Sequence, residues 1–497
     1  MYKEITENAK TVTKQGFISF GENIVEFFLK YIYAILLARL LQPALVGVYF
    51  MGFTIINFVM LASRLELQEG VLRFVASALK GNDRARAKGF LLSAIKIGSV
   101  CGLAALVVML ALAQYISAVY RQPLLKNVLI LFAVSLPFMA VLTILLSLFQ
   151  ATLRMKYYAF IKGLVQPIFN IALFVVVFML GFGLGGAVFA YTLSVIMALA
   201  VLLVIAKKKY TLFNADIKAQ GQGKELLRFT LPITLSVLLH FVIQWSDTVI
   251  LGYYRDMTEV GMYSIALRTA ALVVILYVPV SVVFAPMAAE LFAKKELSKL
   301  QSLFNLVTKW VAISTAPVLL IFILMPEEVL KLFGHSFVRG SPALILLSLG
   351  QMFTIIAGPV YYVILMAGRS RIVFVNAAFI CIANLAANFL LIPRYGLFGA
   401  AASNAITLFL FNVVMLLESR ALFNVYPVWT GFKKPVLAAL LSASVFLILK
   451  AGLRIGAPMY LGFIMVFVYI GTLFLLRFDR HDRDLFRILK NETAKYV

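Results

Sequence analysis

Three ionisable residues stand at helical spacing inside an apolar stretch: Glu22, Glu26 and Lys30 in "GENIVEFFLKYIYAILLARL", residues 21–40. Positions i, i+4 and i+8 share one face of an α-helix. An ionisable group at the centre of a membrane helix costs at least about 2.5–3.5 kcal/mol, so such groups usually face protein or a watery cavity. Two readings follow. In one, Glu26 and Lys30 neutralise each other at a helix contact. In the other, the stripe lines a cavity, with Lys30 holding an anion and the two glutamates taking up Na⁺ or a proton. The stretch 228–252 has the same character, with His240, Gln244 and Asp247 on one face and Trp245 nearby. Asp247 joins Glu22 and Glu26 as an ion-coupling candidate. Arg268 lies deep in the apolar run 259–289, where its long side chain does not easily reach water. Arg64 and Arg73 follow the second apolar run, as interfacial charges or as cations at a cavity mouth. Lys30, Arg64, Arg73, His240, Gln244 and Arg268 are thus the candidate substrate-binding residues. Arginine offers an anion a fork of N–H donors and lysine a point charge.

Only a membrane frame gives these charges a purpose. The 497 residues are 63% hydrophobic, and runs of about 20 apolar residues recur from end to end, each long enough to cross a bilayer. We read an all-α polytopic membrane protein with fourteen spans, from 17–40 and 46–68 to 433–450 and 458–476. The net charge of +24 belongs to the loops rather than to a nucleic-acid partner. About 31 Lys and Arg fall on one side, which includes both termini, against about 9 on the other. That asymmetry predicts cytoplasmic termini. Cys101 and Cys381 lie in apolar helices and read as packing residues. No cofactor or metal is expected. The P-loop pattern is missing, because "GQGKE" at 221–225 lacks its spacing and hydroxyl, and no H-E-x-x-H or G-x-S-x-G occurs. The loops opposite the basic side are short. Glu327 and Glu328 are the nearest candidates there for a catalytic carboxylate, so an enzyme such as a membrane glycosyltransferase is a weak alternative.

The chain also repeats itself. "VGVY" at 46–49 returns as "VGMY" at 260–263, "LRMK" at 153–156 as "GRSR" at 368–371, and "FGLGGA" at 182–187 as "YGLFGA" at 395–400. One common offset of about 214 residues argues for a duplicated six-helix unit. Six is even, so the copies are parallel repeats around a central cavity, as in alternating-access transporters. The domains are then 1–206, a cytoplasmic linker 207–227, 228–420, and 421–497 with two extra helices and a tail.

"ARLLQPALVGVYFMG", "QEGVLRFVASALKGNDRARAKG" and "YGLFGAAASNAI" resemble segments of the polysaccharide-biosynthesis, or oligosaccharide-lipid flippase, family. That family belongs to the multidrug/oligosaccharidyl-lipid/polysaccharide (MOP) flippase superfamily. The resemblance implies a secondary transporter, not an enzyme. It would move a polyprenyl-diphosphate-linked oligosaccharide to the outer leaflet of a prokaryotic cytoplasmic membrane. Its partners would be that lipid, the bilayer and the polysaccharide polymerase machinery, and it would act as a monomer. Within the superfamily the alternatives are a peptidoglycan-precursor lipid flippase and a multidrug/cation antiporter.

Overall fold

Helices begin where the chain supplies a start signal. Pro43 opens α2 (Pro43–Arg64) and Pro123 opens α5 (Pro123–Ala133), where the missing N–H costs nothing. Asp83 precedes α4 (Arg84–Val119) and accepts the Arg86 backbone N–H at 2.9 Å, capping the helix. The computed structural model describes residues 2–210, 219–428, 431–452 and 458–476. Residues 211–218 of the expected linker and the expected tail from 477 lie outside the described residues, as do the side chains of Lys3, Lys10 and Lys14.

The chain is all-α, with no strand among the described residues. Besides α2, α4 and α5 the elements are α1 (Tyr2–Leu40), α3 (Leu67–Lys80), α6 (Leu136–Ala151), α7 (Met155–Ala159), α8 (Gln166–Met179) and α9 (Gly183–Lys209). There follow α10 (Gly223–Tyr254), α11 (Met257–Ala270), α12 (Tyr277–Ala293), α13 (Leu297–Leu324), α14 (Pro326–Lys331), α15 (Ser341–Ala357) and α16 (Val360–Met366). The last are α17 (Ser370–Tyr395), α18 (Leu397–Phe423), α19 (Lys433–Gly452) and α20 (Pro458–Leu475).

Among the described residues, 11 helices are long and apolar enough to cross a membrane, or 12 if the pair α5 and α6, bent by 43°, is one span. That is fewer than the fourteen expected. The first expected span is helical, but the charges of Glu26, Lys30 and Arg39 disqualify it as plain apolar sequence. The last expected span is α20, whose described apolar part, Tyr460–Leu475, is short. Pro137 follows the α5–α6 break and Pro359 caps α16 just after another, while Pro232, Pro286, Pro317 and Pro393 are carried inside helices.

The repeat is visible in the helices. α2 starts at Pro43 and α11 at Met257, while α9 and α18 run Gly183–Lys209 and Leu397–Phe423, all 214 residues apart. The equivalent glycines of the two copies meet directly. A Cβ on Gly47 would lie 1.8 Å from the Met257 carbonyl oxygen, and one on Gly261 would lie 2.1 Å from that of Pro43. Glycine is what lets the backbones of α2 and α11 touch there.

Contact density divides the chain into two units. The first comprises Met1–Arg268, Phe333–Gly340 and Ala377–Ser403; the second comprises Thr269–Leu332, Ser341–Asn376 and Asn404–Val497. In the first, Arg255 donates to the carbonyls of Pro393 and Arg394 at 3.0 and 3.1 Å, and Glu259 accepts the Leu397 N–H at 2.7 Å. The turn between α10 and α11 thereby satisfies both helix ends at the α17–α18 turn. In the second, Phe284, Phe304, Val363 and Met415 form an apolar core. Tyr277 donates to the Gly358 carbonyl at 3.2 Å beside the α15–α16 break.

Candidate functional site

The charged stripe of α1 meets a partner that its own sequence does not announce. After α7, residues Phe160–Val165 form one turn of π-helix, with an extra residue per turn relative to an α-helix. Lys162 on this turn sits 3.0 Å from Glu26 Oε2 and 3.5 Å from Glu22 Oε1. Lys30 reaches only Glu26, at 2.5 Å. Gly163 makes the approach feasible, since a Cβ there would lie 2.6 Å from Glu22 Cγ. Glu22 and Glu26 are both buried, whereas the Lys30 side chain is 63% exposed and that of Lys162 35%. The internal Glu26–Lys30 pair is real, and it belongs to a larger cluster of two carboxylates and two ammonium groups. Neither Glu22 oxygen makes a hydrogen bond among the described residues. A buried carboxylate in that condition is a place where a proton or a small cation can be received.

Lys162 lies near the start of the apolar helical stretch Met155–Met179, at the end that carries Arg154 and Lys156. Nothing in a single sequence marks a π-turn, although the neighbouring Gly163 and Pro167 are consistent with local distortion.

On α10 the three expected polar residues divide between two environments. His240 and Gln244 are exposed. Asp247 has no exposed surface. The Tyr263 hydroxyl from α11 donates to Asp247 Oδ2, while the Thr248 backbone N–H and hydroxyl donate to Oδ1 at 2.6 and 3.2 Å. Next to it Ser246 donates to Asn384 Oδ1 at 2.8 Å, and Asn388 donates to Ser246 Oγ at 3.0 Å and to Asn384 Oδ1 at 3.2 Å. Tyr263, Asn384 and Asn388 were not among the expected site residues. Asn384 and Asn388 are four apart on α17, a polar i, i+4 pair that could have flagged them.

Arg268 ends α11. Its guanidinium carbon stands 3.6 Å from the centroid of Phe50 and 5.8 Å from that of Trp245, and one N–H donates to the Ser264 carbonyl at 3.1 Å. No carboxylate pairs with it among the described residues. A guanidinium held against a ring, with donors to spare, suits an anion. Arg64 is different, because Glu66 takes its Nη2 at 2.7 Å and its Nε at 3.1 Å and also accepts from Gln68 at 2.9 Å. Arg73 is exposed and lies 4.5 Å from the Phe229 ring centroid. The structure therefore groups Glu22, Glu26 and Lys30 with Lys162, and leaves Arg64, Arg73, Asp247 and Arg268 in separate settings.

The fold has counterparts among solved structures. The chain superposes on a structure described as lipid II flippase MurJ in an inward closed conformation with a TM-score of 0.75. The identity is 16%, covering 95% of this chain and 100% of that one. It superposes on an inward-facing multidrug resistance MATE family transporter of the MOP superfamily with a TM-score of 0.64, at 16% identity over 82% and 98% of the two chains. With the apolar helices described above, these likenesses define an all-α, multi-pass membrane fold. Profile comparison matches residues 12–292 to the family described as polysaccharide biosynthesis protein and residues 232–390 to the MatE family. The first match spans more than half of the chain, which belongs to the polysaccharide biosynthesis protein family. A relative by sequence is an uncharacterized membrane protein of Methanocaldococcus jannaschii, 20% identical over 401 residues, 76% of this chain and 78% of that protein.

Proposed function

We propose that the protein is a secondary transporter that flips a polyprenyl-diphosphate-linked oligosaccharide from the cytoplasmic to the outer leaflet of a prokaryotic cytoplasmic membrane. Family membership supports the transporter class. The observation that carries the substrate charge is Arg268, a deep cation on Phe50 and Trp245 with no carboxylate partner among the described residues. A diphosphate head needs fixed cations while its tail stays in lipid. Arg268 and Lys30 supply the deep charge, Arg73 meets the head near the basic side, and Arg64 joins if the head displaces Glu66. His240 and Gln244, exposed on α10, offer hydrogen bonds to sugar hydroxyls.

Glu22, Glu26 and Asp247 are the coupling residues of this reading, binding Na⁺ or a proton as the transporter cycles, with no bound cofactor and no covalent chemistry. The unbonded, buried oxygens of Glu22 support it more than they support Asp247, whose oxygens already accept three hydrogen bonds. The chain acts as a monomer between the cytoplasmic enzymes that build the lipid and the polymerase that consumes it. A second reading, a peptidoglycan-precursor lipid flippase, is favoured by the extent of the match to the lipid II flippase structure.

The deciding experiment reconstitutes the protein in vesicles with fluorescent polyprenyl-diphosphate oligosaccharide, lipid-linked peptidoglycan precursor, or a cationic dye. Faster flipping of the oligosaccharide lipid, lost in Arg268→Gln and Lys30→Gln, is expected. Preferential movement of the peptidoglycan precursor selects the second reading. Transport of the dye alone, unaffected by both substitutions, overturns the anionic-substrate mechanism.

A further inference from the structure

At one end of the first unit, two separate segments bring cations to the same place. Leu153 takes a left-handed φ of 55° after α6, which turns the chain so that Arg154 and Lys156 lie beside the end of α9. There Lys207, Lys208 and Lys209 occupy the last helical turn, all exposed. The junction is built rather than incidental. Arg154 donates to the Lys209 carbonyl at 3.0 Å and lies 4.7 Å from the Tyr210 ring centroid. Lys156 and Lys209 approach the Tyr157 ring at 5.0 and 6.0 Å, and the Thr152 and Tyr210 hydroxyls are hydrogen-bonded.

Cations near a helix C-terminus favour the helix dipole, and that accounts for the three lysines of α9. It does not account for Arg154 and Lys156, which come from another segment and add charge to a patch that already repels itself. None of the five cations pairs with a carboxylate among the described residues. Other basic-side cations do pair: Arg86 with Glu225 at 3.2 Å, Lys294 with Glu290 at 2.5 Å and Lys299 with Glu296 at 3.0 Å. Leu153, Phe160 and Val204 nearby are exposed apolar side chains. Tyrosine rings at the end of apolar spans belong at the depth of lipid head groups.

We propose that Arg154, Lys156 and Lys209, with Tyr157 and Tyr210, form a binding site for the phosphate head of an anionic phospholipid in the leaflet facing the basic loops. The fork of Arg154 and the two ammonium groups take the phosphate, and the exposed apolar side chains take the acyl chains. The duplicated unit supports a retained role. The equivalent stretch of the second copy keeps the basic pair as Arg369 and Arg371, which with Ser370, Asn376 and the carboxylate of Glu418 line a pocket of about 410 Å³.

The test is native mass spectrometry of the full chain, purified in detergent, with phosphatidylglycerol or phosphatidylcholine added. Phosphatidylglycerol should be retained preferentially. Lys156→Gln and Lys209→Gln should each weaken it about fivefold, and Arg154→Lys should keep more binding than Arg154→Gln. Lys299→Gln, at a basic residue already paired with Glu296, should bind phosphatidylglycerol like the unmodified chain. Equal retention of the two lipids, or undiminished binding by the exposed-residue variant Lys156→Gln, overturns the proposal. Displacement by millimolar inorganic phosphate would make the site one for a free anion. Displacement by an equal concentration of polyprenyl diphosphate would make it a substrate portal. Either result overturns the phospholipid assignment.

Discussion

Lys162→Gln is the substitution that separates the observed charge cluster from a simple Glu26–Lys30 pair. Lys162 stands within 3.0 and 3.5 Å of two buried carboxylates, whereas Lys30 serves one of them from a 63% exposed position. Removing one partner of a buried ion pair costs about 3–5 kcal/mol, because the other charge is left uncompensated. The Lys162 side chain is 35% exposed, so solvent screens part of that, and about 2 kcal/mol is expected. Lys30→Gln should cost about 0.5 kcal/mol, the ordinary value for an exposed pair. The measurement is the thermal unfolding midpoint of the purified protein in detergent, with Glu22→Gln added to each variant. In the Lys162→Gln background, Glu22→Gln should recover about half or more of the loss, since a neutral amide no longer needs the cation. In the Lys30→Gln background it should recover little. Equal losses for the two lysines, or no recovery by Glu22→Gln, would refute the assignment of Lys162 as the shared counter-ion.

Gly47→Ala and Gly261→Ala should each destabilise the protein by about 1–3 kcal/mol, the usual cost of overpacking, because the added methyl meets backbone. Gly185→Ala, with nothing within 4 Å of its Cβ, is the control and should be neutral or stabilising by the same unfolding assay. Tyr263→Phe removes a hydrogen bond to fully buried Asp247 and should cost about 1–3 kcal/mol; the double variant with Asp247→Asn should be less than additive. Single cysteines at Gly183 and Lys208, at opposite ends of α9, should label oppositely with an impermeant thiol reagent in intact cells: Gly183 reactive, Lys208 protected. The reverse pattern would invert the expected topology.

Much of the fold was legible in the sequence, because a bilayer imposes one-dimensional rules. An apolar run long enough to cross must be helical, since lipid satisfies no backbone group, so composition and run length alone pointed to an all-α membrane protein. The 214-residue repeat was equally legible, and the helix bounds of α2, α9, α11 and α18 follow it. The stripe of Glu22, Glu26 and Lys30 was visible as unusual by its cost. What fills and neutralises that stripe was not, because the partner lies 132 residues beyond Lys30 and is aimed by a π-turn that no residue pattern specifies. Likewise, helical spacing put His240, Gln244 and Asp247 on one side of α10, yet packing against Tyr263 withdrew Asp247 from the exposed surface. Spacing along a helix determines which residues are neighbours on it. Whether a neighbour meets solvent, a ring or a counter-charge depends on helices distant in the chain, and only their packing decided that here.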